Sequence, residues 1–177
     1  MLTHDAEDPF YHFAFDIPRN KIDESIAWLR SAGVNIYEFP DHSDRVYSKS
    51  WNSTSAYFCD QGGNIVEFIA RHNCGHDIHT PFTGESLLSI SEIGLAVTDI
   101  SDIKNVLHAN YFLNEFKDGN ESFAAVGDEE GLFILSAIQR VWLGSDKKAQ
   151  VFKTEAIEGT HAGAYAVGEY PYKLIFK

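Results

Sequence analysis

One acidic residue stands in an apolar run. The stretch "GGNIVEFIARH", residues 62–72, carries Glu67 between branched and aromatic residues that are typical of a β-strand. Successive side chains of a strand point to opposite faces, so Glu67 shares its face with Ile65 and Ile69 rather than with polar neighbours. A carboxylate in such a position needs a cationic partner, a proton or a metal ion.

A second group of residues with metal-binding chemistry lies just downstream. The stretch "HNCGHDIH" contains one thiol and three imidazoles in eight residues, namely Cys74, His72, His76 and His79. Its spacing matches no closed zinc motif, and the surrounding Gly, Pro and polar residues are typical of a linker. We therefore interpret it as a connecting segment.

The residues before Glu67 predict a strand, a helix and three further strands. In "FYHFAFDIP" the residues Tyr11, Phe13, Phe15 and Ile17 alternate with His12, Ala14 and Asp16, which predicts a strand with one face on a helix. The helix is predicted in "NKIDESIAWLRSAGV", with Asn20 as its N-cap and Gly33 at its end. Three strands then follow in "VYSKSW", "TSAYFCD" and "IVEFIARH".

The second half of the sequence repeats this order. The stretch "ISEIGLAVTDI" predicts a strand, and "SDIKNVLHAN" predicts a helix capped by Ser101. Further strands are predicted in "SFAAVG", "GLFILSAI", "GAYAVGE" and "YKLIFK". Matching "HFAF" to "EIGL" aligns His12 with Glu92, and matching "SAY" to "GAY" aligns Tyr57 with Tyr165. We interpret the chain as an internal duplication.

On the motifs "HFAFDIP", "AYFCDQGGNIVEFIARH" and "EIGLAVTD", the sequence resembles the vicinal oxygen chelate superfamily, which contains glyoxalase I, bleomycin resistance proteins and extradiol dioxygenases. The resemblance implies an α+β fold of tandem βαβββ modules that form a curved mixed sheet, with a concave cleft and the helices outside. The predicted division is a first module at residues 10–73, a linker at 74–86, and a second module with an extended middle hairpin at 87–177.

The resemblance also implies a metal site in the cleft. The metal positions of the family fall on His12 and Glu67 in the first module and on Glu92 in the second. The fourth position falls on Ile175 or Lys173, and neither residue is a metal ligand. One imidazole and two carboxylates suit Fe, Mn, Ni, Co or Zn without choosing among them. The simpler interpretation is that His12 is an ordinary buried histidine, Glu92 faces water and Glu67 pairs with a cation such as Lys173.

Three functions are compatible with this pattern. The first is a metal-dependent enzyme, a glyoxalase-like lyase or a ring-cleaving dioxygenase, that acts on a small oxygen-rich or aromatic molecule. The second is a non-catalytic protein of the resistance type that binds a small molecule, and the third is a degenerate module. No catalytic residue is assigned, although Tyr57, Tyr165 and His161 are candidates for proton transfer, and no organic cofactor is expected.

Composition limits the partners. The formal net charge of -12 argues against nucleic acid, which is bound through clustered Lys and Arg. No apolar run is long enough for a membrane span, and the first residues do not have the pattern of a signal peptide. We therefore expect a cytoplasmic protein with a small-molecule ligand and with Cys59 and Cys74 reduced. We also expect it to be a homodimer or a shortened relative of a longer protein.

Overall fold

A computed structural model describes residues 8–117, 119–158 and 163–176. The first half of the chain folds into one helix and four strands. These are β1 (His12–Ile17), α1 (Ile22–Ser31), β2 (Val46–Ser48), β3 (Ser53–Cys59) and β4 (Ile65–Arg71). The strands stand in the order β2-β3-β4-β1, in which β1 and β4 are parallel and the other pairs are antiparallel. This is the βαβββ arrangement that the sequence predicts.

The second half continues the same sheet. Its elements are a short 3₁₀ helix (Gly84–Ser86), β5 (Ser89–Val97), α2 (Ile100–Tyr111), β6 (Phe123–Asp128) and β7 (Gly131–Ala137). β5 pairs antiparallel with β1, and the resulting seven-stranded mixed sheet has the order β2-β3-β4-β1-β5-β7-β6. The predicted fold class is thus confirmed, because a four-stranded unit and a three-stranded unit, each with its first strand next to its last, meet at β1 and β5.

The last three strands form a sheet of their own. β8 (Thr154–Glu158), β9 (Gly163–Ala166) and β10 (Tyr172–Phe176) stand in the order β8-β10-β9, with β8 parallel and β9 antiparallel to β10. This repeats the relation of β5, β7 and β6 in the main sheet. The division into a first module at residues 10–73, a linker at 74–86 and a second module at 87–177 stays a proposal. The main sheet ends its second unit with β7, so β8, β9 and β10 lie outside that sheet.

The sequence alignment of Tyr57 with Tyr165 therefore does not match the sheet, because Tyr165 lies on β9, outside the main sheet. Tyr57 lies opposite Glu67 across β3 and β4, and the residues at the equivalent positions of β6 and β7 are Ala125 and Ile134. The counterpart of Glu67 is thus Ile134 rather than Ile175 or Lys173. Ile134 is a buried apolar side chain, so the fourth metal position still lacks a ligand.

The two faces of the sheet pack differently. On the helix side, α1 covers a core that includes Ile17, Phe58 and Phe68, with Phe13 and Phe15 packed against it as predicted. α2 covers Leu95, Val97 and Leu135, and residues of the small sheet join that core. The opposite face, which carries His12 and Glu67, is covered by Trp142 and other apolar side chains.

The helix ends differ from the predicted caps. α1 begins after Lys21 rather than Asn20, because the side chain of Asn20 donates instead to the carbonyl oxygen of Ile78 at 2.8 Å. α2 is capped by Asp99 and not by Ser101, since Asp99 Oδ1 accepts the backbone N–H of Asp102 at 3.0 Å. Gly33 follows the end of α1 with a φ of 78°, as predicted. No helix in the described part of the chain has the length and apolar character of a membrane span.

Candidate metal centre

Three neighbouring strands bring the predicted metal residues together. In the sheet register Ala14 of β1 lies opposite Glu67 of β4 on one side and opposite Glu92 of β5 on the other. His12 is two residues from Ala14 on the same strand and therefore points to the same face. Ala14 is fully buried and has the smallest side chain that a strand can carry other than glycine, which leaves room for two carboxylates to converge above it.

The three side chains form a compact buried group. Their donor atoms all lie within 4.8 Å of one another, and His12 Nε2 is 3.7 Å from Glu67 Oε2. The relative exposures of His12, Glu67 and Glu92 are 6%, 3% and 4%. The interpretation in which Glu92 faces water is therefore wrong. Burial on this scale makes the charge state of each group depend on its immediate neighbours.

Arg71 is the cation that the sequence interpretation missed. It is on β4, four residues after Glu67 on the same face, and its Nη2 donates to Glu92 Oε1 and to Ser91 Oγ, both at 2.8 Å. Its Nε lies 3.3 Å from Asp16 Oδ1, and the guanidinium lies 5.7 Å from the ring centre of Trp51. Arg71 is 2% exposed and pairs with Glu92, whereas the sequence suggests Lys173 as a cation for Glu67 and no partner for Glu92.

The carboxylates hold their protons more firmly than free ones. Burial raises the pKa of Glu67 to about 7, although hydrogen bonds from Ser55 and Tyr57 and the charge of Arg71 oppose the shift. Burial and the nearby charge of Glu67 raise the pKa of Glu92 well above its usual range, against the opposing effect of Arg71. At neutral pH the pair therefore carries less negative charge than two exposed glutamates.

His12 and Tyr57 are also shifted by burial. Burial lowers the pKa of His12 to about 4, so its imidazole is neutral at physiological pH. Within the described residues His12 Nδ1 has no hydrogen-bond partner, which is costly for a buried polar atom. Burial, followed by the charge of Glu67, raises the pKa of Tyr57, so its hydroxyl stays protonated and able to donate.

Trp142 closes the group from above. Its ring centre is 5.0 Å from that of His12, and the space beside them is a cavity of only about 10 Å³. Gly94 makes the approach of Trp142 possible, because a Cβ at this position would be 2.7 Å from Trp142 Cη2 and 3.0 Å from His12 Cβ. This cavity beside His12 and Trp142 is thus no larger than one water molecule.

The donor set fits a divalent transition ion. Zinc-like ions bind N and O ligands at about 2.0 to 2.2 Å, so two ligands on one ion lie at most about 4.4 Å apart. The observed spacing of up to 4.8 Å comes within reach through small side-chain movements. A cation would take up a lone pair of the neutral imidazole and add positive charge beside the two buried carboxylates, of which only Glu92 contacts Arg71.

The other sequence candidates are not assembled into a site. His72 Nε2 lies 2.9 Å from Thr54 Oγ1, and Cys74 lies near Glu129. Among the described residues, only His12, Glu67 and Glu92 form a group with metal-ligand spacing. Both cysteines are free, as expected. His161 and the side chain of Tyr165 lie outside the described residues.

Comparison with known proteins gives structural matches. No protein-family model and no curated protein sequence matches this chain. A putative dioxygenase from Bacillus subtilis is similar to it, with 12% identity and a TM-score of 0.48 over 73% of this chain and 41% of the other. A glyoxalase I mutant from Zea mays has 18% identity and a TM-score of 0.48, over 73% and 43%. The chain thus spans less than half the length of these two proteins.

A match of similar length is methylmalonyl-CoA epimerase from Mycobacterium tuberculosis. It has 12% identity and a TM-score of 0.44, over 77% of this chain and 92% of the other. Glyoxalase and dioxygenase structures are thus among the matches.

Proposed function

We propose that His12, Glu67 and Glu92 bind one divalent transition metal ion, and that the protein is a metal-dependent enzyme acting on a small oxygen-rich or aromatic molecule. The observation that carries the proposal is the convergence of three buried ligand atoms within 4.8 Å from three adjacent strands. A bound divalent ion would supply Lewis-acid polarisation of two neighbouring substrate oxygens, as in a lyase or a ring-cleaving dioxygenase.

The surrounding residues have distinct positioning roles in this proposal. Arg71 holds Oε1 of Glu92 at 2.8 Å and so fixes the carboxylate on β5. Ser55 and Tyr57 hydrogen-bond to Glu67 and fix the carboxylate on β4. The low pKa of His12 keeps its imidazole neutral, which is the form that binds a metal. The Tyr57 hydroxyl stays protonated and hydrogen-bonds to Glu67, so it is placed as a proton donor in this group.

Trp142 restricts the substrate. Its indole covers His12, so a substrate reaches the centre only when Trp142 moves away. Trp142 lies outside the regular strands, between Val141 and Lys148, which bridge to each other. A residue outside the regular strands moves at lower cost than one in the sheet.

Metal content is the direct test. We expect protein purified without a tag to take up about one equivalent of Fe(II), Mn, Ni, Co or Zn, measured by elemental mass spectrometry after desalting. Glu67→Gln should lose most of it, because an amide keeps the shape of the side chain but not its charge. Glu130→Gln is the matched control, since Glu130 is exposed. The loaded protein is then assayed with catechols and with thiol adducts of ketoaldehydes.

Failure to bind any of these ions would overturn the metal centre. Metal uptake that is equal in wild type and Glu67→Gln would place the ion elsewhere. Stoichiometric metal without turnover of either substrate type would leave the centre in place and reject the proposed reaction classes.

The second candidate function is a metal-free binding or interaction module. The observation that favours it is the covered face of the sheet, where Trp142 packs on His12 with tilted rings and Arg71 already neutralises Glu92. In such a protein the cluster is a structural network. Glu67→Gln would then leave the thermal unfolding temperature of the protein unchanged or raise it, because the amide carries no buried charge.

The metal affinity should depend on pH. Glu67 holds a proton below a pKa of about 7, and the metal must displace that proton. Affinity should therefore rise with pH by up to about tenfold per pH unit for each carboxyl proton that the metal displaces, from Glu67 and from Glu92, whose pKa is also raised, and it should level off only above both pKa values. Competition with a chromogenic chelator across this range measures the slope. An affinity that is flat with pH would contradict ligation by Glu67.

A further inference from the structure

A second cavity lies on the other face of the main sheet. A cleft of about 610 Å³ opens between β5 and β7 and the small sheet. Ile93 and Phe133 line it and belong to the core on the α2 side, whereas the side chain of Glu92 points to the opposite face with Arg71. The cleft is thus separate from the proposed metal centre. Its volume is within the range of small-molecule sites.

The wall of this cleft is mainly apolar. Val126 and Leu174 are buried residues of the wall that belong to the core on the α2 side, and Leu113 and Phe133 are partly buried. Ile90 also lines the cleft and is 55% exposed. A ligand with an apolar body would cover this surface and remove it from water, which is the main source of affinity at such sites.

The charged residues that line the cleft within the described part of the chain all have the same sign. They are Glu92, Asp128, Glu130 and Glu155, and no Lys, Arg or His is among these described lining residues. The carboxylate of Glu92 is paired with Arg71, but Asp128, Glu130 and Glu155 are exposed. The protein as a whole carries a net charge of -12. A cleft of one charge sign attracts ligands of the opposite sign.

We propose that this cleft binds a small hydrophobic cation, such as an aromatic or long-chain amine. Its apolar body would lie against Ile93, Phe133 and Leu174, and its positive charge would lie beside Asp128 and Glu130. The proposal does not depend on the metal centre, because it rests on the opposite face of the sheet.

Gly131 provides a variant that fills the cleft without disturbing the fold. A Cβ on Gly131 meets no atom within 4 Å, and this residue shares the face of Phe133 because the two are separated by two positions. Gly131→Leu therefore places its side chain in the cleft. Gly75→Leu is the matched control, since a Cβ on Gly75 also meets nothing within 4 Å and Gly75 does not line the cleft.

The test uses berberine, a fluorescent aromatic cation, and 1-anilinonaphthalene-8-sulfonate, an aromatic anion. Titration followed by fluorescence should show berberine bound at least about tenfold more tightly than the anion. Gly131→Leu should weaken berberine binding by about tenfold or more, and Gly75→Leu should not change it. Glu130→Gln should weaken the binding of berberine without weakening the binding of the anion.

Two results would overturn the proposal. If berberine binds Gly131→Leu as well as wild type, with both variants folded by circular dichroism, the binding site is not this cleft. If the anion binds as tightly as berberine, or Glu130→Gln leaves berberine unchanged, the cleft does not select a cation.

Discussion

Arg71→Ala should lower the free energy of unfolding by about 3 to 5 kcal/mol in metal-free protein. Arg71 is 2% exposed and is the donor that contacts Glu92 Oε1 and Ser91 Oγ at 2.8 Å. Its removal leaves the buried Glu92 and the partly buried Asp16 without their cation, and also removes packing against Trp51. The loss thus combines an unpaired buried charge with a cavity.

The measurement is denaturant unfolding, with Arg19→Ala as the control. Arg19 also forms an ion pair at 2.8 Å, with Asp77, but both side chains are 39% exposed. Exposed ion pairs contribute about 0 to 1 kcal/mol, so Arg19→Ala should have little effect. Arg71→Lys keeps a charge on a shorter side chain and should lie between the two. Equal losses for Arg71→Ala and Arg19→Ala would show that the buried network does not stabilise the fold.

The deficit of Arg71→Ala should respond to pH and metal in defined directions. Protonation of Glu92 removes the charge that needs a partner, so the deficit should shrink as pH falls toward the acid range. A divalent ion bound by Glu67 and Glu92 would supply positive charge in place of the guanidinium and should also reduce the deficit. Recovery by metal in Arg71→Ala but not in a double variant with Glu67→Gln would connect the network to the proposed metal centre.

Strand alternation explains why the predicted metal residues were recoverable from the sequence. The side-chain period of a strand is two, so the hydrophobic pattern around His12, Glu67 and Glu92 determines which face each residue occupies. Pairing of β4, β1 and β5 as neighbours then brings these faces together. The resemblance supplied the order of these strands, and the alternation supplied the direction of each side chain.

The partners of these residues depend on contacts that a local pattern does not contain. In the sequence Arg71 has the pattern of a polar residue at the end of a strand. Its role as the ion-pair partner of Glu92 depends on β5, which places Ser91 and Glu92 beside it. Trp142 comes from outside the regular strands and packs on His12, 130 residues earlier in the chain. Asn20 has the composition of a helix cap, but the linker backbone at Ile78 takes up its side chain instead.

The strands at the end of the chain show the same limit. The Ala-Tyr pair in "SAYF" and "GAYA" led to an alignment of β3 with β9, although β6 holds the equivalent place in the main sheet. Short strands with similar composition cannot be told apart by sequence alone, because long-range pairing determines which strand each one lies beside. In the main sheet β6 and β7, rather than β9 and β10, occupy the positions that correspond to β3 and β4.

Gly144→Ala should lower the free energy of unfolding by about 2 to 5 kcal/mol and should also weaken metal binding. Gly144 is buried with a φ of +73°, where an alanine is strained by about 1 to 2 kcal/mol. A Cβ at this position would also overlap the side chain of Tyr57, whose hydroxyl hydrogen-bonds to Glu67. The fold can accept the methyl group only by moving Tyr57 and thereby releasing one side of the Glu67 carboxylate.

Gly33→Ala separates strain from overlap. Gly33 has nearly the same φ, +78°, but a Cβ there meets no atom within 4 Å, so this variant should show only the backbone cost. Denaturant unfolding and metal affinity are measured for both variants. If Gly144→Ala is no more destabilised than Gly33→Ala and binds metal like wild type, then Tyr57 does not position Glu67. A larger loss in Gly144→Ala, with weaker metal binding, would show that the turn at Gly144 supports the centre through Tyr57.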